Sequence, residues 1–324
     1  MIFRSVRFRA IPTGSPGWLL LLVVLAGAGC VAPAWRDHPT GDAVLRAPAG
    51  GSEIVLTTTS RVAGAVHSLT WNGREFIDST DHGRQLQSAS NFDAGRPPMQ
   101  AETFNPTEAG SRQDRDGPTS SSRLEFLRTS AGGTVLESRS RMAFWLAPGE
   151  RSGGQAARNP TVLSDHLLDR RIELGWGGLP AVIRYDVTFT VPAGEGHTLV
   201  AFESLTGYQP WEFSVFLRLP PGAERLQPLS DGPGEQADPV VLATPDGRHA
   251  MGIWSPDTGA RYGRFRFGRE RVVKWNCVFR LGRAGEPLRA GAYGFRHFVV
   301  VGDLATVESV LRGLPGRLEA AGGR

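Results

Sequence analysis

What most constrains this chain is a period of two that keeps returning. Between residues 181 and 191, Ile183, Tyr185, Val187, Phe189 and Val191 alternate with Arg184, Asp186, Thr188 and Thr190, the pattern of a strand with one buried face. Trp211, Phe213, Val215 and Leu217 repeat it. So do Val273, Trp275, Cys277, Phe279 and Leu281, opposite Lys274, Asn276 and Arg280. Further strand-like runs cover 53–59, 64–71, 124–128, 134–146, 199–206, 240–244 and 293–301. Turn signals separate them: Asn72-Gly73, Gly132-Gly133, the stretch from Pro192 to Gly196, and Asp246-Gly247. Only 303–314 carries a helical stripe, Leu304, Val307, Val310 and Leu311, with Asp303 placed to cap it. The expected fold is all-β. Roughly ten or more strands without an internal repeat fit a large antiparallel two-sheet β-sandwich with a short C-terminal helix, because a single open sheet of that size leaves one face bare.

The beginning of the chain reads as an export signal. Arg4, Arg7 and Arg9 lead an apolar run from Trp18 to Leu25, and the small residues Ala26-Gly27-Ala28-Gly29 follow, directly before Cys30. The run falls short of the roughly 20 apolar residues of a membrane helix. Small residues before a cysteine resemble a bacterial lipobox, whereas Ala26-Gly27-Ala28 also fits an ordinary A-x-A cleavage site. On the lipobox reading, 1–29 is a signal peptide and Cys30 is acylated and anchors the protein to a membrane of the cell envelope, on its periplasmic or outer-membrane face. Residues 30–50, with Pro33, Pro39 and Pro48, are then a flexible tether, and 51–324 is one domain. The only other cysteine is Cys277, which acylation of Cys30 leaves as a lone buried thiol.

Charge bears on partners. The leader removes three arginines and no acid, so the 36 basic residues fall to 33 against 32 acidic ones. A near-neutral chain with no basic stripe gives no case for nucleic acid. Lys274 is the only lysine.

The stretch Gly64-Ala65-Val66-His67-Ser68-Leu69-Thr70-Trp71-Asn72-Gly73-Arg74-Glu75-Phe76 resembles the opening hairpin of the galactose mutarotase-like superfamily, and Gly83-Arg84 is similar to the pair with which aldose 1-epimerases place a sugar-binding arginine. The resemblance implies a β-supersandwich with a sugar-binding concave face, and Arg84 as a sugar ligand.

The densest polar cluster is Asp78, Asp81, His82, Arg84, Gln87 and Asn91, followed by Asn105, Thr107 and Glu108. Asp81-His82-Gly83-Arg84 sets an orienting carboxylate, an acid/base group and a bidentate donor within four residues; a solvated hairpin is the plainer reading. His166 is a second acid/base candidate, facing His82 across a cleft. Adjacent residues on a strand point opposite ways, so neither Asp81-His82 nor Asp165-His166 presents two ligands to one ion, and neither metal nor cofactor is expected. Glu203 falls on the face of Leu199, Ala201 and Leu205, where a carboxylate is costly unless paired. Tyr208 and Trp211 are of the kind that stacks on sugar faces, though packing explains Trp211 equally well. Lys274 and Asn276 point the same way from a strand whose other face is apolar, and His297 reads as a core histidine. No G-x-S-x-G, Walker loop, dinucleotide fingerprint, C-x-x-C or H-E-x-x-H occurs.

These residues favour an enzyme acting on carbohydrate, with His82 or His166 working beside Glu108 or Glu203, and with Asp81, Arg84, Gln87, Asn105, Tyr208, Trp211, Lys274 and Asn276 holding the sugar. The alternative is a non-catalytic glycan-binding protein. A histidine and a carboxylate converging on one substrate position separates the two.

Overall fold

The structure is a computed structural model that describes residues 34–320 and Gly322; the leader and the lipidation expected at Cys30 lie outside the described residues. Two antiparallel sheets carry the fold. Neighbour by neighbour, the first runs through Arg123–Ser130, Val135–Phe144, Leu163–Leu174, Val182–Val191, Gly291–Gly302, Ala250–Trp254, Val240–Ala243 and Val215–Arg218. The second runs through Ala43–Ala49, Ser52–Thr58, Val66–Trp71, Leu86–Phe92, Leu199–Pro210, Val272–Gly282 and Arg261–Phe267. The two-residue strand Pro106–Thr107 joins them, pairing with Ala89 on one side and with Ala143 and Phe144 on the other.

Period-2 alternation decides what meets between the sheets. Leu45, Leu56, Phe92, Phe202 and Trp275 from the second sheet share one core with Leu136, Ile172, Tyr185, Phe189 and Val299 from the first. Phe189 meets Phe202 at 4.8 Å between ring centroids, and Phe279 stacks on Phe295 at 4.3 Å. Such rings bury much of the apolar area that holds a sandwich together. The outer face of the first sheet is covered by the helix Leu304–Ala320, whose Val307, Leu311 and Leu314 pack on Val182, Phe298 and Val300. Asp303 caps it, its Oδ1 accepting from the Thr306 amide at 2.7 Å. Among the described residues no helix is long and apolar enough to cross a membrane.

Two expectations need correction. The segment read as a tether contains the strand Ala43–Ala49, whose Ala43, Leu45, Ala47 and Ala49 are buried while the residues between them are exposed. Three of these four are alanines, so the alternation was nearly invisible to hydropathy, and Pro48 disguised it further. An edge strand tolerates a proline because it has no outer neighbour. The run expected through Trp211 and Phe213 is a strand only over Val215–Arg218, since a turn closes first, with the Phe213 amide on the Pro210 carbonyl at 3.0 Å.

His297 is the core histidine that the sequence implies. It is fully buried, with Nδ1 at 3.0 Å from the Tyr185 carbonyl and Nε2 at 2.8 Å from Ser204 Oγ. Burial depresses its pKa to about 4, against the opposing pull of the Tyr185 carbonyl and Asp186. The unfolded chain therefore takes up a proton below about pH 6.5 that the folded chain refuses until about pH 4. Stability is complete above that window and drains as pH falls through it, by about 2 kcal/mol between pH 7 and pH 5. Urea denaturation at the two pH values should show this loss, and His297→Gln should remove most of it. An equal loss in the variant would place the acid sensitivity elsewhere.

Candidate functional site

The outer face of the second sheet carries a polar pocket of about 200 Å³, lined by Gln87, Ala89 and Asn91 from one strand, Glu203, Thr206 and Tyr208 from the next, and Lys274 from the third. The wall is completed by Gly83, the segment Ala101, Glu102, Asn105 and Thr107, and Trp145. Alternation accounts for the face: Lys274 and Asn276 point outward while Trp275 and Cys277, between and beyond them, are in the core.

A bulge sets the position of Glu203. Along Leu199–Pro210 the pairing slips between Glu203 and Leu205, so Glu203 opposes Val278 while Leu205 opposes Cys277 and Ser204 is left over. Up to Glu203 the odd-numbered residues face outward. Beyond the slip Leu205 turns into the core and Thr206 and Tyr208 take the outer face. A bulge of this kind re-aims side chains at a site. Glu203 thus shares the face of Leu199 and Ala201, as expected, but not that of Leu205.

Glu203 is the charged centre of the pocket. Its Oε2 accepts from Lys274 Nζ at 3.0 Å, Asn276 Nδ2 at 3.2 Å and Thr206 Oγ1 at 3.4 Å, and its side chain keeps 24% exposure. Burial pushes the carboxyl up, but the Lys274 ammonium and these hydrogen bonds outweigh it and hold the group below the ordinary range. Lys274 is raised in turn: burial opposes its charge, and Glu203 more than restores it. The ammonium also lies 5.1 Å from the Tyr208 ring centroid and 5.5 Å from that of Phe265, within cation–π range. Oε1 of Glu203 takes no hydrogen bond among the described residues.

Amides complete the lining. Gln87 donates from Nε2 to the Gly83 carbonyl at 2.9 Å and leaves Oε1 buried without a partner. Asn105 donates to the Ser90 carbonyl at 2.6 Å. Trp145 stands between this pocket and a neighbouring cavity of about 840 Å³ that Thr80, Asp81 and Arg112 also line. Its indole lies against Gly83, where a Cβ would come within 2.7 Å of the ring. Only glycine fits there.

Of the residues expected at the site, Gln87, Asn105, Glu203, Tyr208 and Lys274 line one pocket, and Asn276 buttresses Glu203 from beside it. The others do not join them. His82 borders the larger cavity, but it is buried, with Nδ1 at 2.7 Å from the Arg115 carbonyl and Nε2 at 2.8 Å from the Arg61 carbonyl. Each ring nitrogen faces a backbone carbonyl, so the ring clasps two loops together and points neither nitrogen into the cavity. Asp81 caps its own turn, accepting from the Gly83 amide at 2.8 Å, and pairs with Arg84 at 3.1 Å. That pairing holds Nε of the arginine that the resemblance assigns to sugar, and Arg84 does not line the Glu203 pocket. Trp211 lies away from the pocket, under the Arg266 guanidinium at 4.7 Å.

Glu108 is wholly inside the sandwich. Its carboxylate meets Arg170 at 2.5 Å with both side chains at 0% exposure, and accepts from the Ser88 amide at 2.9 Å. Arg170 also donates to Ser138 Oγ at 3.0 Å and to the Gly64 carbonyl at 2.8 Å. Burial opposes charge on both partners: at Arg170 the carboxylate of Glu108 more than compensates, whereas at Glu108 burial outweighs Arg170 and the Ser88 amide and raises the carboxyl above its ordinary range. The pair ties the sheets together and takes no part in the pocket.

His166 is elsewhere again. It reaches Glu195 at 2.7 Å, and His197 reaches the same carboxylate at 2.6 Å, with the rings of Phe92 and Phe104 against both histidines. Burial lowers the pKa of His166 against the pull of Glu195, while the two histidines overcome the partial burial of Glu195 and lower its pKa to about 2. The sequence reading missed Glu195 and His197, because 192–196 read as a turn alone. Gly196 between them takes a left-handed conformation, φ 67°, and the turn brings the two side chains to one side. It also missed Trp145, absorbed into an apolar run. No histidine lines the Glu203 pocket, so the histidine–carboxylate convergence that would mark proton-transfer chemistry is not met there.

No family model matches the sequence, and no curated protein matches it. Among solved structures the chain is similar to a candidate aldose 1-epimerase from Escherichia coli K12, at 10% identity and a TM-score of 0.44, over 82% of this chain and 100% of that one. It is similar also to an alpha-galactosidase from Lactobacillus brevis, at 10% identity and a TM-score of 0.39, over 84% of this chain and 40% of the enzyme. An alpha-mannosidase from Enterococcus faecalis V583 gives 10% identity and a TM-score of 0.44, over 84% and 30%. These likenesses are too distant to carry a residue's role to this chain.

Proposed function

We propose that the Glu203 pocket binds a sugar ring of a glycan, with Glu203 accepting from its hydroxyls, Lys274 donating, and Tyr208 and Trp145 flanking its apolar faces. One observation carries the reading. Oε1 of Glu203, on a lining side chain that keeps 24% exposure, takes no hydrogen bond among the described residues and shares one small concavity with Lys274, Tyr208 and Trp145. A polyhydroxylated ligand supplies donors to this oxygen and acceptors to the Lys274 ammonium beside it.

Binding is favoured over proton transfer by the electrostatics. A general acid or base works best with a pKa near the working pH, whereas Glu203 and Lys274 each push the other further into its charged form. The pair is built to stay charged. Tyr208→Ala should weaken binding of the best sugar in a monosaccharide and oligosaccharide panel by roughly tenfold or more, the scale of a lost aromatic anchor. Trp211→Ala, outside the pocket, should leave it unchanged. Calorimetric titration checks both, and equal losses in the two variants would remove the pocket from the reading.

A further inference from the structure

We infer that His166, Glu195 and His197 bind one divalent ion of the zinc type. The three offer ligand atoms that all lie within 4.8 Å of one another. Both histidines present the same atom, Nε2, to the same oxygen, Oε2 of Glu195, at 2.7 and 2.6 Å. Two rings aimed through one nitrogen each at a single carboxylate oxygen is the arrangement of a two-histidine, one-carboxylate ion site. Such a set leaves a fourth position for water.

A tetrahedral ion about 2.0–2.2 Å from each donor atom sets the donors about 3.3–3.6 Å apart, so the contacts of 2.7 and 2.6 Å to Glu195 must open by somewhat more than half an ångström as the ion replaces the shared protons. The surroundings allow it. Phe92 lies 4.4 Å from His197 and 4.8 Å from His166, centroid to centroid, closing the site on one side. Glu195 keeps 23% exposure and supplies a way in. As the ion takes the two Nε2 atoms, the proton of each ring passes to its own Nδ1; Nδ1 of His197 is buried with no partner, so no existing hydrogen bond has to break there. The soft–hard balance of two imidazoles and a carboxylate suits zinc better than calcium or magnesium, which prefer all-oxygen cages.

The ion also has a structural consequence. Phe104, between the pocket-lining residues Glu102 and Asn105, packs on both histidines at 4.9 and 6.1 Å. Fixing the rings fixes that wall.

The test uses the full chain without a polyhistidine tag, stripped with chelator and titrated with Zn²⁺ alone, and with Co²⁺ as a spectroscopic stand-in. Wild type should take up one Zn²⁺ per chain, give a visible Co²⁺ ligand-field band that zinc abolishes, and melt about 5 °C higher at a hundredfold excess of free Zn²⁺ over Kd. Glu195→Gln preserves the shape and the acceptor oxygen, so it should fold as wild type and yet bind zinc at least tenfold more weakly; His197→Asn should do the same. Zinc held equally by wild type and both variants, or no zinc bound by wild type at 100-fold molar excess, would overturn the assignment and leave the cluster a hydrogen-bonded triad.

Discussion

Replacing Arg170 by alanine should destabilise the fold by about 3–5 kcal/mol, the cost of stranding a buried charge. Arg170 and Glu108 are both at 0% exposure, and the arginine holds a residue from each of four segments: Glu108, Ser138, Tyr185 and the Gly64 carbonyl. Its removal leaves the Glu108 carboxylate with one remaining hydrogen bond, from the Ser88 amide. Removing both charges should cost far less. Arg170→Met combined with Glu108→Leu should recover most of the lost stability, because a buried ion pair contributes little net over apolar residues of similar volume. Urea denaturation with an unchanged slope distinguishes the two, and a single Arg170→Ala costing under about 1 kcal/mol would show that the pair is not sealed from water.

Replacing Glu203 by alanine should reduce sugar affinity about 100-fold, since hydrogen bonds to a charged group contribute about 1.5–3 kcal/mol each. The substitution also releases Lys274 from its partner at 3.0 Å, so the pocket changes from an ion pair to a lone cation. Stability should fall much less than in the Arg170 variant, because Glu203 faces the solvent side of its sheet with 24% of its side chain exposed. Glu203→Gln keeps the shape and one acceptor oxygen and should lie between wild type and alanine in affinity. Affinity and stability thus separate the two acidic residues that the sequence offered as equals.

The strands were legible because burial leaves a period of two wherever large apolar residues mark the inner face, as in Val182–Val191 and Val272–Gly282. They were not legible where the inner face is built from small or polar residues. Ala43–Ala49 hides behind three alanines, and Leu86–Phe92 buries Ser88 and Ser90 beside Leu86 and Phe92. The site was half legible for a related reason. Glu203, Lys274 and Asn276 stand out as polar residues on strands whose other face is apolar, and the sheet brings the three together. Arg170 obeys the same logic, lying in phase with Leu168 and Ile172, and that signal could have found the buried pair.

The loop candidates failed because sequence density of polar groups does not say where they point. Asp81, His82 and Arg84 are adjacent and chemically suited to catalysis, yet the loop spends them on its own turn and on carbonyls from Arg61 and Arg115. A histidine anchored by two backbone acceptors has the same sequence signature as one poised in a cleft. Only the fold distinguishes them.

The most direct measurement is a titration of the full chain with a panel of neutral and acidic sugars, followed by methyl and amide NMR shifts and repeated with Glu203→Gln. The account predicts that a sugar in the panel binds, that the shifts centre on Gln87, Thr206, Tyr208 and Lys274, and that the substitution weakens binding tenfold or more while leaving the fold intact. Sugar-induced shifts centred elsewhere, or binding equally strong in Glu203→Gln, would contradict it.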